Sequence, residues 1–198
     1  MPTRRSLAAI AVALATISLG ACSSDDGGST EGQASGASAE AEHNDADVTF
    51  VQGMIPHHEQ AIEMAQLAAR NAEDERVIEL AEGIEAAQAP EIEQMRGWLE
   101  AWGESEDGGM DDMGHGGDSD SAMGQMSGED MAALESASGA VFDQMFLEMM
   151  IEHHEGAIEM AETESADGQD TEAVELAETI IAAQQAEIDE MQGLLEQL

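Results

Sequence analysis

The sequence contains very few basic residues, one cysteine, three prolines and no tyrosine. Five arginines stand against 44 acidic residues, which gives a formal net charge of −39. Such a surface repels nucleic acid and anionic lipid headgroups, so neither is an expected partner. The single cysteine excludes a disulfide within the chain and a metal site built from several thiolates. Aromatic residues make up 3% of the chain, and alanine, glutamate, leucine, isoleucine and methionine are plentiful, so the composition favours helix over sheet.

The first 21 residues have the pattern of a bacterial export signal. Arg4 and Arg5 precede an apolar run from Leu7 to Leu19, which is too short for a comfortable membrane-spanning helix. The run leads into Leu-Gly-Ala-Cys22, which resembles a bacterial lipobox and implies cleavage before Cys22 and lipidation of that cysteine. An ordinary signal peptide followed by a chance cysteine is the alternative, and the pattern does not choose between Sec and twin-arginine export. We therefore expect an extracytoplasmic protein that is lipid-anchored to the bacterial cell membrane.

The remaining chain divides by composition into a tether, two repeats and a linker. Residues 22–44 consist mainly of Ser, Gly, Ala, Asp and Glu without an apolar period, which is typical of a flexible tether, and His43 at its end is expected to be solvated. Residues 45–198 are expected to form the folded part, with repeat 1 at about 45–102 and repeat 2 at about 128–198. The residues between the repeats, 103–127, are rich in Met, Gly and Asp and are expected to be a linker.

An internal repeat determines the expected architecture. Residues 50–99 align with residues 146–195 without a gap, and 25 of the 50 positions are identical. Apolar residues at helical spacing predict two helices in each copy. In the first copy, the first helix is predicted to run from Asp45 or Asp47, as N-cap, to about Ala69. The second is predicted to run from about Asp74 to Trp102. Two helical hairpins that cannot bury their apolar faces alone most simply form an all-α four-helix bundle.

Each repeat carries two adjacent histidines with a methionine one helical turn before them. Repeat 1 has Met54-x-x-His57-His58, and repeat 2 has the same residues 96 positions later. At these spacings the side chains lie near one face of a helix. The apolar stripe of the following helix includes a glutamate, Glu91 in repeat 1 and Glu187 in repeat 2. Because a buried, ionised carboxylate is costly without a partner, we expect these glutamates to pair with the histidines.

The residue three positions before the first histidine of each pair indicates which metal would bind. Di-iron and di-manganese bundles use Glu-x-x-His, whereas this chain has Met-x-x-His in both repeats. Thioether and imidazole together suit Cu(I) or Ag(I) and suit iron poorly. The glutamates around the pairs leave a harder metal open, zinc or iron included. A register-fixing His–Glu pair without metal is the other interpretation. The predicted ligands and supporting residues are Met54, His57, His58, Met64, Glu91, Met95, Met150, His153, His154, Met160, Glu187 and Met191.

The linker also carries groups that bind soft metals. Disordered linkers have little structural reason to contain methionine, so these side chains either gather metal or dock on the bundle. The predicted auxiliary metal residues are Met110, Met113, His115, Met123 and Met126.

The two copies of Phe-x-x-x-Met-Ile-x-His-His-x-x-Ala-Ile-x-Met-Ala, each followed by Leu-Ala-x-x-Ile-x-x-Ala-Gln-x-x-Glu-Ile-x-x-Met, resemble the domain-of-unknown-function 305 family. The resemblance covers about residues 45–198. It implies a ferritin-like fold and, as in some members, copper binding outside the cytoplasm. It carries over onto the predicted residues above and onto Gln88 and Gln184.

These observations lead to one functional hypothesis with two alternatives. The hypothesis is a soft-metal protein, with Cu(I) as its ion, that serves buffering, delivery or resistance and is not an enzyme. It would meet the membrane only through its lipid. The first alternative is a ferritin-like oxidase with a His/Glu di-metal centre and ferroxidase-type activity. The second is a surface interaction or pH-responsive module in which the histidines titrate against Glu91 and Glu187.

Overall fold

The computed structural model describes residues 42–107 and 124–198, and the all-α four-helix bundle expected from the sequence is confirmed. A short third helix precedes the second histidine helix. The expected signal peptide and most of the expected tether lie outside the described residues. None of the described helices is long and apolar enough to cross a membrane. The helices are α1 (Asp45–Asn71), α2 (Glu75–Trp102), α3 (Gly128–Ser136), α4 (Ala140–Asp167) and α5 (Thr171–Leu195).

The first helix begins differently from the prediction. Its N-cap is Asn44, whose side chain accepts hydrogen bonds from the backbone N–H groups of Ala46 and Asp47. The Asp47 carboxylate in turn accepts the Asn44 N–H, so the two residues form a capping box. The prediction that Asp45 or Asp47 caps α1 is therefore wrong, because Asn44 takes the cap and frees Asp47 for a second role. Helix α2 begins next to Asp74, close to the predicted start, and Asp74 is its N-cap.

Two prolines lie inside helices without interrupting them. Pro56 lies within α1 and Pro90 within α2, and both helices run on past them. Both prolines are exposed, so the missing backbone donor faces the outside of the bundle. The repeat-2 positions that correspond to them hold Glu152 and Ala186, and the corresponding helices span similar lengths.

The helices pair within the repeats and join through their first members. The most extensive contacts lie between α1 and α2 and between α4 and α5, and the next largest between α1 and α4. Helices α2 and α5 touch each other only slightly. The central pair of the bundle is therefore α1 and α4, which carry the two histidine pairs.

The apolar core consists of two clusters with a polar layer between them. The first core cluster joins the end of α1, the start of α2, the start of α4 and the end of α5. The second core cluster joins the start of α1, the end of α2, the end of α4 and the start of α5. Helices α1 and α4 are therefore antiparallel. Six buried polar residues lie along the helices between the two clusters: His57, His58, Gln88, His153, His154 and Gln184.

Each hairpin turn is held by an aspartate of the other hairpin. Asp143 on α4 is buried and accepts the backbone N–H groups of Glu73 and Asp74, both at 3.0 Å, in the turn between α1 and α2. Asp47, 96 positions earlier, accepts the corresponding N–H groups of Gln169 at 3.0 Å and Asp170 at 2.9 Å. These two aspartate clamps tie the repeats together at opposite ends of the bundle.

Candidate metal centre

The four paired histidines meet in the middle of the bundle. All four side chains are buried, and the helical spacing of each pair directs both rings inward from α1 or α4. The rings of His57 and His153 have centroids 3.7 Å apart and are tilted by 43°. The rings of His153 and His154 are 6.4 Å apart. Equivalent residues of the two repeats therefore meet at one centre, as expected for two matching halves.

The second histidine of each pair is bonded to the glutamate predicted as its partner. His58 Nε2 lies 2.8 Å from Glu91 Oε2, and His154 Nε2 lies 2.6 Å from Glu187 Oε2. An ionised carboxylate only accepts hydrogen bonds, so in a neutral ring this bond places the proton on Nε2 and leaves the lone pair on Nδ1. The glutamates are less buried than expected, with side chains 19% and 22% exposed. They reach the imidazoles from the bundle surface.

Several polar atoms of the central layer have no hydrogen-bond partner of ordinary geometry among the described residues. They include both ring nitrogens of His153, Nδ1 of His58 and Nδ1 of His154. The side-chain amide of Gln88 and Oε1 of Gln184 also lack such a hydrogen-bond partner. Each such buried group costs about 1–3 kcal/mol when unpaired, and groups of this kind usually mark a site for water or an ion. A cluster of them in one layer therefore favours a bound group at this position.

Burial holds the pKa of His153 well below its ordinary value. Repulsion from His57, His154 and His58 adds to the effect, while the backbone of His57 acts weakly in the opposite direction. The ring is therefore neutral near pH 7. A neutral imidazole keeps a lone pair for a metal ion and does not compete with it by carrying a proton.

The methionines lie on both sides of the central layer, and each side combines the two repeats. The second core cluster contains methionines from α1, α2 and α4: Met54, Met95 and Met160. The first core cluster contains the equivalent positions from α4, α5 and α1: Met150, Met191 and Met64. Met160 is partly buried, and the other five are fully buried. The helical spacing in the sequence places these six residues on the inward faces of their helices. It cannot show that each set of three contains residues from both repeats.

The donor set is suited to a soft ion with few ligands. Within residues 42–107 and 124–198, no three His, Cys, Asp or Glu side chains are gathered closely enough to hold a metal ion. The further glutamates considered as oxygen donors are exposed and face away from the centre: Glu59, Glu63, Glu155 and Glu159. Buried imidazole nitrogens and thioether sulfurs lie in and beside the central layer, and this combination fits Cu(I) or Ag(I).

The end of the linker lies against the central helices. The side chain of Gln60 accepts the Met126 N–H at 2.7 Å and donates to the Met126 carbonyl at 2.9 Å. Gly124 has φ 73°, and a Cβ there would come within 2.6 Å of the Glu152 carbonyl oxygen, so glycine is required. Met126 itself is buried in the first core cluster. The other predicted auxiliary residues lie outside the described residues: Met110, Met113, His115 and Met123.

Sequence reasoning overlooked three side chains that hold the structure. His43 is not a solvated tail residue, because its ring stacks on Trp102 with centroids 4.8 Å apart. Asp47 and Asp143 were not recognised as clamps, although their repeat spacing of 96 was a usable signal.

Comparisons with known proteins place the chain in a family. The sequence profile described as Domain of unknown function (DUF305) matches residues 47–195. A DUF305 protein from Streptomyces coelicolor, whose name describes it as secreted, is 28% identical, with TM-score 0.67 over 81% of this chain and 95% of its own. A DUF305 fragment from Deinococcus radiodurans is 30% identical, with TM-score 0.68 over 78% and 98%.

CopM in its Cu(II)-bound form is 32% identical, with TM-score 0.64 over 76% of this chain and 96% of its own. CopM also matches in Cu(I)-bound and silver-bound forms. No curated protein matches the chain. The profile match spans most of the chain and includes both histidine pairs, and the chain therefore belongs to the DUF305 family.

Proposed function

We propose that this protein binds copper as Cu(I) outside the cytoplasm, for buffering, delivery or resistance. The observation that carries the proposal is the central layer, where four buried histidines from two repeats meet with several ring nitrogens unpaired. A bundle that gained only register from a His–Glu pair would need one histidine in each repeat. The other histidine of each pair, His57 or His153, faces its equivalent across the bundle.

The residues that would hold the ion are the central imidazoles and the thioethers beside them. His57 and His153 face each other, while Glu91 and Glu187 orient the His58 and His154 rings from the surface. Met54 and Met150 lie one helical turn before the paired histidines and are the nearest thioethers by sequence. Cu(I) is a soft, monovalent cation, and these donors would hold it through lone pairs without adding a charge of their own. The bundle would exclude water from the bound ion.

The geometry supports copper over iron. Each glutamate of the layer contacts one histidine, and the buried donors nearby are thioethers, which iron binds poorly. The copper-bound and silver-bound forms of CopM, a relative with about the same coverage, support the same choice. We propose a binding protein that is not an enzyme.

The proposed location is the outer face of the bacterial membrane, with Cys22 lipidated and residues 22–44 as tether. The export pattern at the N-terminus and the name of the Streptomyces relative support an extracytoplasmic place. Export and lipid anchoring of the chain in this way would leave the acidic bundle in contact with the surrounding solution.

A competitive titration tests the central claim. The chain is titrated with Cu(I) against a chromophoric chelator, alongside a variant in which the four paired histidines are replaced by asparagine. We expect the variant to lose high-affinity binding by at least 100-fold. His43→Asn is the matched control, because His43 stacks on Trp102 outside the centre and its loss should leave the affinity unchanged.

Circular dichroism confirms that the variants remain helical before the affinities are compared. If the four-asparagine variant is folded and binds Cu(I) as tightly as the natural sequence, the site assignment is wrong. Anaerobic loading with Fe(II) followed by oxygen tests the oxidase alternative, for which a ferroxidase absorbance would be the positive result.

A further inference from the structure

Glu164 is a buried carboxyl that breaks the symmetry of the two repeats. It lies on α4 with 1% of its surface exposed, and its carboxylate oxygens make no hydrogen bond of ordinary geometry among the described residues. The equivalent position in repeat 1 is Ala68. Repeat 1 therefore has a neutral, apolar side chain at this position, whereas repeat 2 has an ionisable one.

A glycine has been placed to accommodate this carboxyl. A Cβ at Gly168 would collide with the Glu164 carboxyl, coming within 2.6 Å of its Cδ. The equivalent residue in repeat 1 is Ala72, and its backbone conformation (φ −72°, ψ 150°) is nearly that of Gly168 (φ −68°, ψ 155°). A Cβ at Gly168 would also lie 2.7 Å from the Glu164 carbonyl oxygen. Repeat 1 accepts Ala72 in nearly the same backbone conformation, so glycine at this position accompanies the carboxyl at position 164.

The carboxyl belongs to one of the two aspartate clamps. The charges that act on it are Asp47 from α1 and Asp170 from the start of α5, and both are negative. No charged group of α2 contributes to this set among the described residues. Asp47 is already committed as acceptor of the Gln169 and Asp170 N–H groups. A third negative charge would therefore repel the carboxylate that holds the turn.

We propose that Glu164 holds a proton in the folded protein and that losing this proton loosens the Asp47 clamp between α1 and the α4–α5 turn. A protonated Glu164 can direct its O–H towards Asp47, whereas an ionised one cannot. The Asp143 clamp at the other end has Ala68 in the equivalent place and stays closed. The bundle thus has one pH-sensitive end and one insensitive end.

The electrostatic surroundings of the Glu164 carboxyl agree with this geometry. Burial raises the pKa of Glu164 to about 8, and the interaction with Asp47 and the charge of Asp170 act in the same direction. Burial alone would also raise the pKa of Asp47, but the N–H of Asn44, the Glu164 carboxyl and the N–H groups of Asp170 and Gln169 together hold it below its ordinary value. The pair therefore shares one proton near neutral pH, with Glu164 as its carrier.

The sign of the effect on stability follows from the raised pKa. An unfolded chain ionises this carboxyl near pH 4.5, while the folded chain keeps its proton up to about pH 8. The stabilisation due to Glu164 is thus complete below about pH 4.5 and is lost as the pH rises to about 8.

NMR titration of the full chain between pH 5 and 9.5 tests the proposal, with the Glu164 carboxyl and the backbone amides of the two turns followed together. We expect the Gln169 and Asp170 amides to shift with an inflection near pH 8 and the Glu73 and Asp74 amides to show none. In Glu164→Gln, which mimics the protonated carboxyl, the inflection should disappear while the clamp persists.

The double variant Glu164→Ala with Gly168→Ala is the matched control, because it gives repeat 2 the residues that repeat 1 already has. Its thermal midpoint should fall less between pH 5 and pH 8.5 than that of the natural sequence. The proposal is overturned if Glu164 titrates at its ordinary value. It is equally overturned if the inflection survives in Glu164→Gln or is as large at Glu73 and Asp74.

Discussion

At the scale of single residues, the two histidines of each pair have different surroundings. His58 and His154 are tied through Nε2 to glutamates that reach in from the surface. His57 and His153 meet each other between α1 and α4. The pairs look identical in the sequence, and the division arises because a side chain one position further along a helix is turned by about 100°. One histidine therefore faces its own hairpin and the other faces the opposite repeat.

The orienting role of the glutamates gives the first prediction. Replacing Glu91 and Glu187 together with glutamine should weaken Cu(I) binding by about 10–100-fold, since partners that orient a metal-ligating imidazole typically contribute that much. Glutamine can still bond to the ring through its amide, so the urea midpoint of the protein without metal should change little. The affinity is measured by chelator competition.

Glu63 and Glu159 provide the control for this pair, because they lie on the histidine helices but are exposed. Their replacement by glutamine removes the same number of charges and should leave the affinity within a factor of two or so, given salt screening of exposed charges. Equal losses from both double variants would mean that net charge, and not imidazole orientation, sets the affinity.

At the scale of helices and turns, the repeats are joined by the aspartate clamps as well as by the core. Asp143 and Asp47 each take the two N–H groups that open the second helix of the other hairpin. These N–H groups belong to the N-cap residue and the residue before it, so no carbonyl of the helix itself accepts them. A buried carboxylate from the neighbouring repeat supplies the missing acceptor and fixes how the hairpins meet.

The Asp143 clamp gives the second prediction. Asp143→Ala should lower the free energy of unfolding by about 2–3 kcal/mol, because it removes hydrogen bonds from two partly buried N–H groups to a charged acceptor. Urea denaturation monitored by circular dichroism measures the change. Asp45→Ala is the comparison, since Asp45 is an exposed aspartate in the first turn of α1 and its loss should cost less than about 1 kcal/mol. Similar losses from the two variants would contradict the clamp.

At the scale of the whole molecule, a large negative charge surrounds a neutral centre. The formal net charge is −39, so the acidic side chains repel one another and attract any cation to the surface. The central layer instead offers imidazole and thioether donors, which select by softness. Under the proposed function, loose accumulation of cations outside and selective binding inside would therefore be separate properties of the same bundle.

This separation gives the third prediction. Free Ag(I) at 100 times its dissociation constant should stabilise the protein by about 2.7 kcal/mol and raise the thermal midpoint by roughly 5–10 °C. Sodium at matched ionic strength gives the part due to screening alone. The four-asparagine variant should keep the sodium effect and lose the silver effect. A silver-induced shift that survives in this variant would place the bound ion elsewhere.

Much of the fold could be predicted from the sequence, because it depends on local periodicity and on a repeat. The spacing of apolar residues determined the helices, and the 96-residue repeat determined that there are two equivalent hairpins. The N-cap was missed by one residue, since Asn44, Asp45 and Asp47 are all good caps and only backbone geometry selects Asn44. The pairing of Glu91 and Glu187 with histidine followed from the cost of burying a carboxylate.

The sequence by itself determined which residues are the candidates for metal binding: paired histidines, methionine at the position of the usual carboxylate, and a glutamate on the following helix. Only the tertiary structure decided how they combine. Antiparallel packing of α1 on α4 brings His57 to His153 and assigns each methionine set to both repeats. It also shows Glu164 beside Asp47, a contact between residues 117 positions apart. Such contacts depend on how the hairpins dock, which the periodicity within one helix does not specify.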